Sequence, residues 1–123
     1  MARILIVDDS EFFRETMREI LEEQGYTIAG EARDGAEGFE KFKELRPDVT
    51  TMDITMPVMD GLEALGKILE YDPDAKVIMA SSSAQHKKVS EALILGAYEF
   101  LPKPFDKDKL LAVISEIVTG APQ

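Results

Sequence analysis

Short apolar or β-branched runs alternate along this chain with longer stretches in which apolar residues return every three or four positions. The short runs predict strands at Arg3 to Val7, Thr27 to Ala32, Val49 to Met52 and Lys76 to Ala80, with a less apolar one at Glu99 to Leu101. Helical periodicity places Phe13, Met17, Ile20 and Leu21 on one face, then Phe39, Phe42 and Leu45, then Leu62, Leu65 and Leu69. Val89, Ala92, Leu93 and Gly96 form a fourth such face, and Leu110, Leu111, Ile114, Ile117 and Val118 a fifth.

The punctuation between these segments agrees with their limits. Ser10 is suited to cap the first helix and Gly25 to end it. Asp34-Gly35 reads as a turn, Pro47 stops the second helix, Pro73 lies beyond the third and Gly96 ends the fourth. Five β-α units with nearly all-apolar strands imply a parallel sheet with helices on both faces. Right-handed crossovers bring the C-terminal ends of all its strands to one edge. Ligands of such sheets bind outside those ends, where the strand order reverses.

Composition narrows the class of function. At 123 residues and 45% apolar content the chain suits one globular domain spanning 1–123, with no repeat or linker before the tail at Thr119 to Gln123. It holds no apolar run of about 18 residues and no signal-peptide layout, so a cytoplasmic protein is expected. Zero cysteines exclude disulfides and thiolate metal sites, and a single histidine makes a zinc site a poor expectation. His86 reads as an exposed residue at the start of the fourth helix. The net charge of −10 argues against direct binding to nucleic acid or to an anionic membrane, while leaving room for a local anion site. Runs such as Arg18-Glu19 and Glu22-Glu23 read as solvated helix faces, and Met52, Met56 and Met79 as packing.

Candidate chemistry gathers at the strand ends. Asp8 and Asp9 follow the first strand, Asp53 the third, Ser81 to Ser83 the fourth and Lys103 the fifth. In the inferred fold three carboxylates, a hydroxyl and an ammonium converge. Carboxylates so placed repel one another and call for a cation, and Mg²⁺ is the hard, oxygen-preferring choice. Three carboxylates, one ammonium and one divalent ion then balance. A phosphoryl group arriving there would meet positive charge and a hydroxyl donor, and a carboxylate can serve as its nucleophile.

The motifs Val7-Asp8-Asp9-Ser10, Met52-Asp53-Ile54-Thr55-Met56-Pro57 with Asp60-Gly61, Ala80-Ser81 and Lys103-Pro104-Phe105 resemble the receiver domains of bacterial two-component response regulators. They occur in family order over about residues 3 to 118, and Phe12-Phe13-Arg14 adds a likeness to chemotaxis regulators of the CheY type. The resemblance implies a flavodoxin-like (βα)5 sheet of strand order 2-1-3-4-5. It implies that Asp53 accepts the phosphoryl group, and that Asp9, Asp8 and the backbone carbonyl of Thr55 hold Mg²⁺ together with Asp53. Lys103 would contact the phosphoryl group, through a residue whose bond to Pro104 is cis. Ser81 would be the hydroxyl that moves toward it, Phe100 the aromatic switch, and Thr55 and Ser83 the positions that tune dephosphorylation. The implied partners are a histidine kinase as donor and a downstream protein such as a flagellar motor switch protein. No enzymatic activity is implied beyond the domain's own phosphotransfer and dephosphorylation.

Blander readings stand beside these. Asp8-Asp9 could be a turn and cap pair, Lys103 a solvated loop residue, Ser82 or Ser83 a helix cap, and Phe100 a fixed core residue. A phosphatase of the haloacid-dehalogenase type would need Asp-x-Asp after the first strand and a cap insertion, neither of which the sequence carries. A flavodoxin would need a hydroxyl- and glycine-rich phosphate loop where Asp8 and Asp9 stand. The third alternative is the same receiver cut from a longer regulator, with Gly120-Ala121-Pro122-Gln123 as the start of a linker.

Overall fold

The computed structural model describes residues 2–82 and 86–120. The readings of Ser83 as a cap and tuning position, of the His86 side chain as exposed, and of 121–123 as linker fall outside what is described. Strands β1 (Arg3–Val7), β2 (Thr27–Ala32), β3 (Val49–Asp53), β4 (Val77–Ser81) and β5 (Glu99–Pro102) alternate with helices α1 (Glu11–Glu23), α2 (Gly35–Leu45), α3 (Gly61–Tyr71), α4 (His86–Leu95) and α5 (Lys107–Thr119). The strands form one parallel sheet in the order β2-β1-β3-β4-β5. This is the expected doubly wound, flavodoxin-like arrangement. The strand order reverses between β1 and β3, so their C-terminal ends flank a crevice.

The period-2 alternation of side chains divides the core into two layers. Leu5, Val7, Met52 and Met79 meet Phe42, Ala64, Leu65, Ile68 and Ala92 of α2, α3 and α4. Ile4, Ile6, Ile78 and Leu101 meet Met17, Leu21, Leu110, Val113 and Ile114 of α1 and α5. Each fully buried Leu or Ile contributes about 1.5–3 kcal/mol relative to exposure, so these layers fix the strand register that positions the edge.

The caps follow the sequence where a short polar side chain precedes a helix. Ser10 Oγ accepts from the Phe13 amide, Asp60 from Glu63, and Asp106 from Asp108 and Lys109. Asp34-Gly35 is a correction. Asp34 caps α2 by accepting from the Glu37 amide, and Gly35 is already the first helical residue. Gly96 does end α4, with a φ of 122° in the left-handed region that favours glycine.

Three further expectations change. β3, β4 and β5 run through Asp53, Ser81 and Pro102, so the polar residues lie within the ladder, with Asp53 opposite Ala80 and Ser81 opposite Pro102. The fourth and fifth helical faces are narrower than the periodicity suggests. Ala92 is buried on the fourth face but Leu93 is exposed, and on the fifth Leu110 and Ile114 are buried while Val118 is exposed. Arg18 keeps its solvent-facing side but also has a partner the sequence did not indicate, pairing with Glu31 on β2 through Nη2 at 2.5 Å.

Candidate functional site

The edge formed by the ends of β1, β3, β4 and β5 gathers Asp8, Asp9, Asp53, Ser81 and Lys103. One carboxylate oxygen from each of Asp8, Asp9 and Asp53 lies within 4.8 Å of the others. Asp8 and Asp53 are buried, whereas Asp9 is exposed at the mouth of the crevice.

Asp8 is held at each polar atom. Its amide donates to the Ala32 carbonyl at 3.0 Å, continuing the β1–β2 ladder by one residue. Its Oδ1 accepts from the Ser10 amide at 2.9 Å, and its Oδ2 lies 2.5 Å from Lys103 Nζ. Its backbone carbonyl accepts from Arg14 Nη1 at 2.7 Å. Lys103 is fixed in turn by its amide, which donates to the Ser81 carbonyl at 2.9 Å. The Lys103–Pro104 bond is cis, and Nζ stands 3.9 Å from the centre of the Phe13 ring and 3.5 Å from Asp53 Oδ2. A lysine side chain 5% exposed between two carboxylates is no solvated loop residue.

Burial pushes the Asp53 carboxyl up to about 6; Lys103 opposes that rise, and the neighbouring charges of Asp8 and then Asp9 add to it. One ammonium does not neutralise three acids, so the pocket carries unbalanced negative charge. Hard oxygen donors alone, close together and with one open to water, suit a small divalent cation.

The backbone beneath Asp53 is as tightly set as its side chain. The Gly61 amide donates to the Ile54 carbonyl at 2.6 Å, and a Cβ at Gly61 would lie 2.0 Å from the Asp53 carbonyl oxygen. The Gly35 amide donates to the Met59 carbonyl at 2.9 Å, so α2 buttresses the β3–α3 loop. In that loop Val58 is 85% exposed and holds a φ of 68°, a left-handed conformation rare for a β-branched residue.

Burial and strand position place the other expected residues. Ser81 is buried at the end of β4, next to the strand that carries Asp53. Thr55 is exposed two residues beyond Asp53. Phe100 is half-buried and packs against the core layer under α2, α3 and α4. Arg14 and the close approach at Gly61 were not assigned a part in the site from sequence. Both residues stand in the sequence motifs, but a motif names no contact, and it is the fold that brings Arg14 to the Asp8 carbonyl and Gly61 against the Asp53 carbonyl.

The family model of the response regulator receiver domain matches residues 4–115. The chain belongs to the response-regulator receiver family. This receiver is 52% identical over 118 residues to Protein CcdB of Bacillus subtilis, covering 96% of this chain and 98% of that protein. It is 44% identical over 115 residues to the chemotaxis protein CheY of Thermotoga maritima, covering 94% and 96% respectively. Among solved structures it is similar to a CheX–CheY–BeF₃–Mg²⁺ complex from Borrelia burgdorferi, with a TM-score of 0.90 and 39% identity over 95% of this chain and 89% of that one. A CheY-like receiver from Methanospirillum hungatei gives a TM-score of 0.91 at 30% identity, over 98% and 96%. The receiver thus has the two-component fold and chemotaxis relatives. No helix among the described residues is long and apolar enough to cross a membrane.

Proposed function

We propose that this receiver is a phosphorylation switch whose Asp53 takes a phosphoryl group from the phosphohistidine of a histidine kinase, with Mg²⁺ as cofactor. The observation that carries this reading is the approach of Asp8, Asp9 and Asp53 to within 4.8 Å beside a single buried ammonium. Asp8, Asp9, Asp53 and the Thr55 carbonyl would hold the ion. When bound, Mg²⁺ supplies positive charge that offsets the carboxylates and the incoming phosphoryl oxygens. The Borrelia neighbour, described with beryllofluoride and Mg²⁺, supports this choice.

An Asp53 carboxylate oxygen forms the new P–O bond as the P–N bond breaks, and the electron pair leaves with the imidazole nitrogen. Lys103 moves from its contact with Asp8 toward the phosphoryl oxygens, which carry more charge than a carboxylate. The Ser81 hydroxyl shifts to donate to the same group, and Phe100 turns into the space it vacates. The face formed by α4, β5 and α5 then changes its affinity for a downstream protein, here read as a flagellar motor switch protein. The domain acts on no other substrate, works in the cytoplasm and binds neither nucleic acid nor membrane.

Incubation with acetyl phosphate and Mg²⁺ tests the acceptor. The native chain should incorporate base-labile phosphate stoichiometrically, and Asp53→Asn should incorporate none. Full labelling of Asp53→Asn would move the acceptor elsewhere. Beryllofluoride with Mg²⁺ should shift amide resonances around both Asp53 and Phe100; shifts confined to Asp53 would remove the switch role from Phe100.

A further inference from the structure

We propose that Arg14 is a positioning residue for the cation site, acting through the Asp8 carbonyl and itself oriented by Glu31. This inference rests on the reading of the acid cluster as a Mg²⁺ site. The last residue pair of β1 is Val7 with Ala32 and Met52, and only the Asp8 amide carries the ladder further. The next carbonyl, that of Asp8, takes its hydrogen bond from Arg14 Nη1 at 2.7 Å. That carbonyl belongs to the peptide plane that joins Asp8 to Asp9. Asp9 is exposed, so packing does little to direct its carboxylate, and this plane sets the backbone frame from which its side chain projects.

Arg14 is held for that task. Its Nε donates to Glu31 Oε1 at 3.3 Å, and its side chain is only 12% exposed. Glu31 is anchored from both sides, with Oε2 accepting from Arg18 Nε at 2.9 Å and Nη2 at 2.5 Å, while its backbone carbonyl accepts from Lys41 Nζ. A guanidinium offers a rigid fork that can hold two acceptors in one plane, which an ammonium cannot. The edge strand β2 is thereby tied through Arg14 to the turn that carries two of the three carboxylates. Arg14 cannot ligate a cation.

The sign of the effect separates positioning from simple charge. If Arg14 acted only through its charge, removing it would tighten Mg²⁺ binding by relieving repulsion. A positioning role predicts the opposite. Magnesium titrations of the full chain, followed through the Asp9 and Asp53 amide resonances, should give a dissociation constant about tenfold higher for Arg14→Ala, the scale seen when outer partners of metal ligands are removed. Arg18→Ala breaks a closer contact to Glu31 without touching Asp8, leaves the Arg14–Glu31 pair in place, and should stay within about twofold of the native chain. Once Arg14 is absent, adding Glu31→Ala should weaken binding no further, because the two act in series. Should Arg14→Ala fail to fold, Arg14→Lys and Glu31→Gln carry the test, each with an expected loss of about threefold. Unchanged or tighter binding in the folded Arg14 variants, or an equal loss in Arg18→Ala, would overturn the positioning role. Failure of the native chain to bind Mg²⁺ would instead sink the reading of the site itself.

Discussion

Lys103 Nζ lies 2.5 Å from Asp8, a nearer approach than the 3.5 Å that separates it from Asp53, although 95 residues of chain separate Lys103 from Asp8. The ammonium that would meet a phosphoryl group rests first on the neighbouring acid. Removing it leaves two buried carboxylates without their cation. Lys103→Ala should therefore lower metal-free stability by about 3 kcal/mol, the cost of breaking a buried pair from one side. The same variant should bind Mg²⁺ more tightly than the native chain, because a positive charge has left the pocket. Urea unfolding in chelator and a Mg²⁺ titration check the two parts, and a stability loss below about 1 kcal/mol would mean that water replaces the lysine readily.

Asp53 gives a pH dependence with a definite sign. Its carboxyl is raised from 3.8 to about 6 in the folded chain, so the folded state keeps a proton that the unfolded state releases. Its contribution to stability is greatest below pH 4 and is lost as pH rises through 6. In chelator at pH 7, Asp53→Asn should be more stable than the native chain by about 1–2 kcal/mol, a figure reduced for partial solvent access. Near pH 4 the two should unfold at the same urea concentration. A gap that stayed constant from pH 4 to 7 would refute the shift.

Gly61 tolerates no side chain, since its Cβ would stand 2.0 Å from the Asp53 carbonyl oxygen, a backbone atom that cannot turn aside. Gly61→Ala should cost about 3 kcal/mol or more by forcing α3 away from β3. Gly66, in the same helix and with open space around it, should accept alanine with a gain of about 0.5–1 kcal/mol. Paired thermal melts of the two variants provide the comparison.

Thr51 carries a buried hydroxyl without a hydrogen-bond partner among the described residues. Thr51→Val keeps the shape and removes the unpaired oxygen, so stability should rise by about 1–2 kcal/mol. A loss in urea unfolding would mean that a buried water satisfies the hydroxyl.

Val58 holds φ at 68° while 85% exposed, so its side chain gains little packing in return for the strain. Val58→Asn should stabilise the chain by about 1 kcal/mol, because asparagine enters the left-handed region more readily. An unchanged melting temperature would show that the loop relaxes in solution.

The sequence by itself determined the ten elements, their order and the four strand ends that carry Asp8, Asp9, Asp53, Ser81 and Lys103. Periodicity, caps and strand runs are local properties, and right-handed crossovers leave little freedom in how five β-α units assemble. Contacts between distant segments are not written in any local pattern. Only the tertiary structure decided that Lys103 pairs first with Asp8, that Arg18 reaches across to Glu31 on β2, and that Leu93 and Ile94 stay exposed on α4. The same holds for Arg14, whose guanidinium reaches the Asp8 carbonyl because α1 lies across the end of β1. A helical period shows which face of a helix is apolar, but how much of that face is covered depends on the neighbours that arrive, and a charge reads as solvated until the fold brings its partner.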